Sequence, residues 1–571
     1  MSAVSGNTVL WANNMTAFKA INTSNIADLS PAILEGFRAA NDGGGGTFIW
    51  QATSRQEDNG GTVVRPNIIT PQNPGRWVRL YSGAINVRWF GAGLGAADDA
   101  PFVQQAIDTA IHVGVPGNNS FGSTVYFPAG NYNMGQPIYI ETSDVTYQGW
   151  ISVKLTGDGK FNTHILLTGP YSTAFIFGRQ DGKDGNPVFI GPPWSIVGVG
   201  DMNGNGKADI DWYNSQTGET QIWYMDGHRL VNRGRVIGLS RLRHCEISNL
   251  SIEQLGDKQQ LDGAITFTGG GLGFLVMNVA MYGVWRGITC NGWSNSYTWR
   301  AKIQNVHMEG VLNIGIYARF AINWDVSNTY IGCHDYSPNP PPLETAGIWL
   351  DTRAEGWMFT VIETGGFDTG LRMTNSSRQP DHDRPPDTHQ FVQCNFDAGG
   401  RACIWLTNSH RCRFQGCYAS SGNATITGIV VLDSADVYGF EWVDGVILNA
   451  YNHCFWISDA TSFSIMDSTF ATWGTAETAG KYEAIWIAGA DTRGTAHMSF
   501  VITGNTFIND RDFPANSNNR LQPIRVQGNE TQTKFFQKYI VTNNISYGAN
   551  MIGSQDGGTA VTGQKVFSNN F

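Results

Sequence analysis

The sequence predicts an all-β chain wound as a single-stranded parallel β-helix, preceded by a small N-terminal β module and a capping helix. Three observations carry that expectation. The first is composition: of 571 residues 69 are Gly and 21 Pro, while 41% are hydrophobic and only 15% charged. A large apolar interior interrupted by many turns favours short strands. The second is loose repetition from about residue 245, where a strand often centred on Asn (245–253, 274–282, 301–309, 324–332) is followed by a Gly-led second strand. The third is the interval: Asn249, Asn278, Asn305 and Asn328 are separated by 29, 27 and 23 residues. That is the length of a β-helix coil with apolar residues inside and Gly or Asn at its corners. One coil cannot bury its apolar face alone, whereas stacking at ~4.7–4.9 Å buries it continuously and pairs the backbone. An inward, hydrogen-bonded column of Asn side chains is expected from this alignment.

The elements follow in order. Residues 1–84 read as the small β-rich module, with Gly-rich turns at 41–46 and 58–61. Residues 85–192 hold one helix and the first coils. Asp98 or Asp99 can cap the helix, Pro101 suits its first turn, and Phe102, Ala106, Ile107, Ala110 and Ile111 recur at helical spacing. Residues 124–132 read as a strand closed by a Pro–Gly turn. An insert at 193–240, the β-helix body at 241–549 and a tail at 550–571 complete the division.

The stretch from Val87-Arg88-Trp89-Phe90-Gly91-Ala92 through Asp98-Asp99 and Ala106-Ile107 to Val125-Tyr126-Phe127-Pro128-Ala129-Gly130-Asn131-Tyr132 carries a resemblance. It resembles the opening of the pectate-lyase-like β-helix superfamily found in many phage tailspikes and depolymerases. The pattern at 42–50, 58–62 and 76–79 resembles the small module that precedes the helix in phage tailspikes. The resemblance implies a right-handed coil, a homotrimer and other phage tail or baseplate proteins as partners. It also implies a place on the virion tail and endo-cleavage of a bacterial surface polysaccharide (capsule, exopolysaccharide or O-antigen). It is silent about the chemistry. Residues 193–232 resemble one FG-GAP/VCBS-type repeat. There Asp201, Asn203, Asn205 and Asp209 set oxygens at the spacing of a Ca²⁺ loop, with the Lys207 carbonyl between them. No cofactor is expected for catalysis.

Several classes are disfavoured. The formal net charge is −10 with no basic stripe, unlike a nucleic-acid binder. There is no apolar run long enough for a spanning helix, and the opening residues lack a basic region followed by an apolar core, so synthesis without a signal peptide is expected. The eight cysteines match neither a CxxC pair nor a dense disulfide scaffold and are expected as buried thiols.

Glycosidic hydrolysis needs two carboxyls flanking the bond. The acids near strand positions in the middle coils are Glu309, Asp335, Glu363, Asp368 and Asp397. Glu363 is read as replacing the Asn of its coil, and Asp397 follows one coil later with an offset of about three residues. His334 and the loop residues Arg378, Asp381, His382 and Arg384 are expected to wall a substrate groove. A lyase ranks lower, because no Lys occurs between Lys302 and Lys481 and Arg319, Arg353, Arg372, Arg401 or His334 would have to serve. Trp324 and Trp357, with Trp285, Trp293 and Trp299, are expected as sugar-stacking platforms. Trp349, Trp405, Trp456 and Trp486 alternate with aliphatics and are expected inside. A non-cleaving adhesin and a structural fibre are the competing classes.

Overall fold

Each rung turns where its sequence supplies a residue for the turn. In the computed structural model the described residues are 9–112, 120–140, 150–178, 194–200, 209–214, 220–226, 229–235, 242–255, 263–268, 271–292, 297–333, 344–376, 384–397, 400–421, 428–434, 436–474, 483–488, 498–508, 523–527, 536–547, 565–568 and 570. One full rung comprises a corner strand Thr298–Trp299, a near strand Lys302–Gln304, a far strand His307–Val311 and a back strand Ile314–Arg319. Every strand pairs in parallel with its counterpart one rung on. The coil is right-handed, as parallel crossovers almost always are.

Two bends recur in the left-handed region. Between corner and near strands stand Arg300, Asn323, Gly356, Thr388 and Arg411, with φ from 52° to 67°. Between near and far strands stand Asn249, Asn278, Asn305, Asn328, Val361, Gln393 and Gly416, with φ from 49° to 61°. Asn tolerates this backbone because its short polar side chain bonds locally, which is why the repeat reads as Asn-centred. The amides do form a ladder: Asn278 Nδ2 donates to Asn249 Oδ1 at 2.7 Å, and Asn305 and Asn328 continue it at 3.3 Å each. The ladder lies outside, not inside as expected, with Asn305 and Asn328 exposed. A left-handed residue turns its side chain out, and the residue after it (Leu250, Val279, Val306, Ile362) enters the core. The last rungs differ, since Asn505 and Asn544 follow the bend and are fully buried. Asn505 Nδ2 donates to Asn544 Oδ1 at 3.0 Å, and Asn544 Nδ2 donates to Asn570 Oδ1 at 3.0 Å. The coil also runs beyond 549, because Lys565–Ser568 pairs in parallel with Phe536–Thr542.

The core is a set of like-on-like columns. Phe359, Phe391 and Phe414 stack at 4.6 and 4.5 Å with planes within 5°. Back strands place Ile288, Ile316, Ile348, Leu371 and Ile404 in register. Glycines lead these strands for a steric reason: a Cβ on Gly315 would lie 2.3 Å from Ile331 Cγ2. All eight cysteines are buried, as expected.

Helix Ala100–His112 closes the N-terminal end. Asp98 caps it at the Ala100 amide, and Asp99 receives the Gly93 and Asn133 amides at 2.9 Å each, tying it to the first rung. The N-terminal module is a five-stranded sheet around Phe18, Phe48 and Trp77. Its buried Arg79 lies between Phe48 and Trp89, at 4.5 and 4.7 Å, joining module to coil. The insert holds a four-stranded antiparallel sheet, Trp194–Gly200, Asp209–Asn214, Thr220–Asp226 and Arg229–Arg235. Among the described residues no helix is long and apolar enough to cross a membrane.

Val361 is a β-branched residue at φ 54° and 49% exposed, so its strain is not repaid by burial. Val361→Asn should therefore stabilise the fold by about 1 kcal/mol, read as a higher denaturation midpoint. An unchanged or lower midpoint would show that the bend is not strained.

Candidate functional site

The chemistry-bearing groups gather where back strand turns into corner strand. In that column the ladder runs Ile322, Glu355, Asp387 and His410, each directly opposite the next. Parity turns the column away from the core, since Ala321, Ala354, Pro386 and Ser409 just before these residues are buried, although Asp387 itself is only 7% exposed. Neighbouring strands lie about 4.8 Å apart, so the two acids stand on backbone positions one strand spacing apart, and the Asp387 charge acts on the Glu355 carboxyl.

The two acids have opposite environments. Burial pushes the Glu355 carboxyl above its usual range, the charge of Asp387 adds to that, and Arg353, Arg384 and Arg411 only partly oppose it. Burial also acts to raise Asp387, but hydrogen bonds from Arg411 and Thr388 outweigh it and hold this carboxyl low. Arg411 grips it with both arms, Nε donating to Oδ1 at 2.8 Å and the Nη2 group to Oδ2. Thr388 Oγ1 donates to Oδ1 at 2.9 Å. Burial lowers His410 despite Asp387 and Asp436 nearby, which keeps its imidazole neutral. Its ring packs on Tyr438 at 4.2 Å. Separated protonation of two neighbouring acids is the pattern that assigns one as proton donor and one as anion.

The residues expected from sequence are distributed differently. Glu363 is not the bend residue of its rung. Val361 is, and Glu363 lies two positions later on the far strand, opposite Tyr330 and Asn395. Asp397 faces Gly365, so it sits diagonal to Glu363 by two residues. Glu309 stands on the same face, 65% exposed and 3.3 Å from His307 Nε2. The His307 ring stacks on Tyr330 at 4.9 Å. Asp368 is 2% exposed and bound to Arg401 at 3.1 Å, and burial raises its carboxyl while the Arg401 charge opposes the rise. Trp324 and Trp357 are not sugar platforms: both are 1% exposed and stack on each other at 5.0 Å in the core. Conversely Trp349, Trp405, Trp456 and Trp486, expected inside, are half-buried on the outer face of the back strands. Arg384 is exposed beside the acid pair, and its carbonyl accepts the Arg353 amide at 2.8 Å.

His334, Asp335, Arg378, Asp381 and His382 lie outside the described residues, as do Asp201, Asn203, Asn205 and Lys207. Asp209 opens the strand Asp209–Asn214. No group of three or more metal-ligating side chains occurs among the described residues. Sequence reasoning missed Glu355 and Asp387, although Asp387 closes the loop it singled out. The available signal was the equivalence of Ile322, Glu355, Asp387 and His410, each just before a bend.

The opposed shifts have opposite consequences for stability. Glu355, raised in the folded state, stabilises it only while protonated, and ionisation at neutral pH is a cost. Glu355→Gln should raise the melting midpoint at neutral pH, with the gain fading below about pH 4. Asp387, held low, contributes stability above its unfolded value near pH 4 that is lost in acid. Asp387→Asn should lose about 1–3 kcal/mol at neutral pH, and the gap should close as pH falls. Parallel midpoint shifts in the two variants would show that the environments are not opposed.

Residues 13–82 match the phage tail protein small four-stranded beta-sheet domain, and residues 84–317 match the rhamnogalacturonase A/epimerase, pectate lyase-like family. No curated protein matches the chain. Among solved structures, the A-module of Azotobacter vinelandii mannuronan C-5 epimerase AlgE6 is similar at 14% identity and TM-score 0.49, over 85% of this chain and 98% of that one. The tailspike of Acinetobacter phage vB_ApiP_P1 is similar at 12% identity and TM-score 0.48, over 99% of this chain and 75% of that one. The gp42 tailspike of Acinetobacter phage vb_AbaP_AS12 is similar at 10% identity and TM-score 0.47, over 97% and 75%. The chain thus joins a small β-sheet module that matches the phage tail domain to a parallel β-helix whose first part matches the pectate lyase-like family.

Proposed function

We propose that this protein is a tailspike that binds and endo-cleaves a bacterial surface polysaccharide by hydrolysis at Glu355 and Asp387. The observation that carries the reading is their direct opposition on adjacent rungs in environments that separate their protonation. Glu355 is the proton donor to the leaving oxygen. Asp387, held ionised and oriented by Arg411 and Thr388, is the anion that attacks or stabilises the anomeric carbon. A homotrimer on the virion tail, bound to other tail proteins, accompanies this reading, on the resemblance alone.

A second reading places the chemistry at Glu363 and Asp397. Their diagonal offset sets them roughly 7–8 Å apart, within the wider spacing of inverting enzymes. Neutral His410 beside Arg411 also suits proton abstraction by a lyase. One assay separates these. The protein is incubated with capsular or O-antigen polysaccharide, and product size and the ultraviolet absorbance of unsaturated uronate are followed. Shortening without new absorbance, reduced about 10²–10⁴-fold by Glu355→Gln and by Asp387→Asn, is the expected result. Loss in Glu363→Gln and Asp397→Asn instead moves the chemistry to the far-strand face. New absorbance makes it a lyase, and no shortening leaves an adhesin.

Calcium binding by the 201–209 loop is proposed from its oxygen spacing. A chelator should lower the melting midpoint of the intact protein but not of Asp201→Ala, and indifference of both removes the metal.

A further inference from the structure

Two cysteines stand face to face in the core, and the catalytic reading uses neither. Val392 is opposite Gln415 and Asn395 is opposite Tyr418, so Cys394 and Cys417 occupy the same place on adjacent rungs. The Tyr418 amide donates to the Cys394 carbonyl at 2.9 Å, which fixes that register. Each cysteine follows a bend in the left-handed region, at Gln393 and Gly416. The handedness that turns the bend residue out turns the cysteine in, and both are 1% exposed. Adjacent strands lie about 4.8 Å apart, within the roughly 4.4–6.8 Å between Cα atoms that a disulfide spans. At the other cysteines the facing residue is of another kind, as with Cys290 opposite Ala318 and Cys333 opposite Val311.

The two sulfurs are not equivalent. Cys417 Sγ lies 3.4 Å from the carbonyl oxygen of Phe391, a residue of the Cys394 rung, so it leans toward its partner. Burial raises the Cys394 thiol far above the usual thiol range, and its hydrogen bond to Cys417 adds to the rise. The same hydrogen bond lowers Cys417 and outweighs the burial that opposes it. A sulfur that gives up its proton more readily, beside one that keeps it, is the arrangement of an attacking and a resolving cysteine.

We infer that Cys394 and Cys417 are an oxidisable pair that hydrogen peroxide converts to a disulfide, stapling one rung to the next. The Cys417 sulfur attacks one peroxide oxygen, the O–O bond breaks, and a sulfenic acid and one water form. The Cys394 sulfur then attacks the sulfenic sulfur. The S–O bond breaks, and its oxygen leaves as a second water with the Cys394 proton. Each cysteine is oxidised by one electron, and one peroxide is reduced to two waters. Peroxide is small enough to reach such a core through local openings of the rungs. The new bond closes a loop of one rung, residues 394–417, and removes conformational freedom from the unfolded chain. The rungs it joins are those of Asp387 and Arg411, but the inference does not depend on the acid pair.

The test is hydrogen peroxide treatment of the intact, reduced protein, followed by denaturation, alkylation of the remaining thiols and mass spectrometry. The treated protein should take up two fewer alkyl groups than the reduced protein, with the missing pair mapped to Cys394 and Cys417. Its denaturation midpoint should rise, and should return to the starting value on reduction with dithiothreitol. Cys394→Ala and Cys417→Ala should each abolish both changes. In Cys394→Ala the Cys417 sulfenic acid should accumulate and be trapped by dimedone. Cys290→Ala, which removes a thiol outside the pair, should keep both changes. Full alkylation after treatment overturns the pair, as does a link that maps to other cysteines. A link without a rise in midpoint overturns the staple. Sulfinic acid at Cys417 beside an unchanged Cys394 overturns the resolving role.

Discussion

Parallel register is the constraint on which the rest of this molecule depends. Once Ile288, Ile316 and Ile348 are held in line by backbone hydrogen bonds, every other position in those rungs is aligned too. A residue type repeated at one ladder position then becomes a column about 4.8 Å in repeat. Phenylalanines in such a column become a stack inside, and asparagines at the bend become an amide ladder outside. The price of a wrong residue is multiplied in the same way, because it meets its neighbours both above and below. That explains why glycine leads successive back strands, where Gly315 and Gly347 leave no room for a Cβ against Ile331 and Thr364.

Within that geometry an opposed pair of acids is a local conflict. Like charges directly opposite one another destabilise a sheet, and elsewhere the ladder matches charge with countercharge, as at Lys154–Glu246 and Arg413–Glu441. At Glu355 and Asp387 the conflict is divided: Arg411 and Thr388 commit to one carboxylate and leave the other to burial. Conflicts of this kind persist where function needs them.

The coil was legible because its signals are local: turn residues at the bends, apolar alternation in the strands and the interval between bends. Even so, the Asn column was assigned to the wrong side. Interval alone does not say whether the repeating residue or its successor enters the core, and backbone handedness at the bend decides it. The tryptophans show the same limit and also its remedy. Ile348-Trp349-Leu350 and Ile404-Trp405-Leu406 put aliphatics at both flanking positions, so strand parity with buried aliphatics requires the indole to face out. Trp324 and Trp357 follow a left-handed residue directly, which sends them inward. The site was harder to read because a one-residue bridge such as Glu355 has no strand pattern around it. Its partner lies a rung away, beyond a loop of a length the sequence does not predict.

The acid pair and the back strands meet on the same rungs. Trp349 and Glu355 belong to one rung, Arg372 and Asp387 to the rung sequence that follows, and Trp405 and His410 to the next. Between them lies Asp351, 1% exposed, whose carboxylate accepts the Tyr317 hydroxyl at 3.1 Å, the Thr352 amide at 2.8 Å and the Thr374 hydroxyl at 3.2 Å. It also accepts the Ser376 amide at 2.8 Å. A buried carboxylate so fully satisfied locks the end of the back strand to the start of the corner. The back strands are therefore held by a rigid edge at a fixed offset from the acid pair.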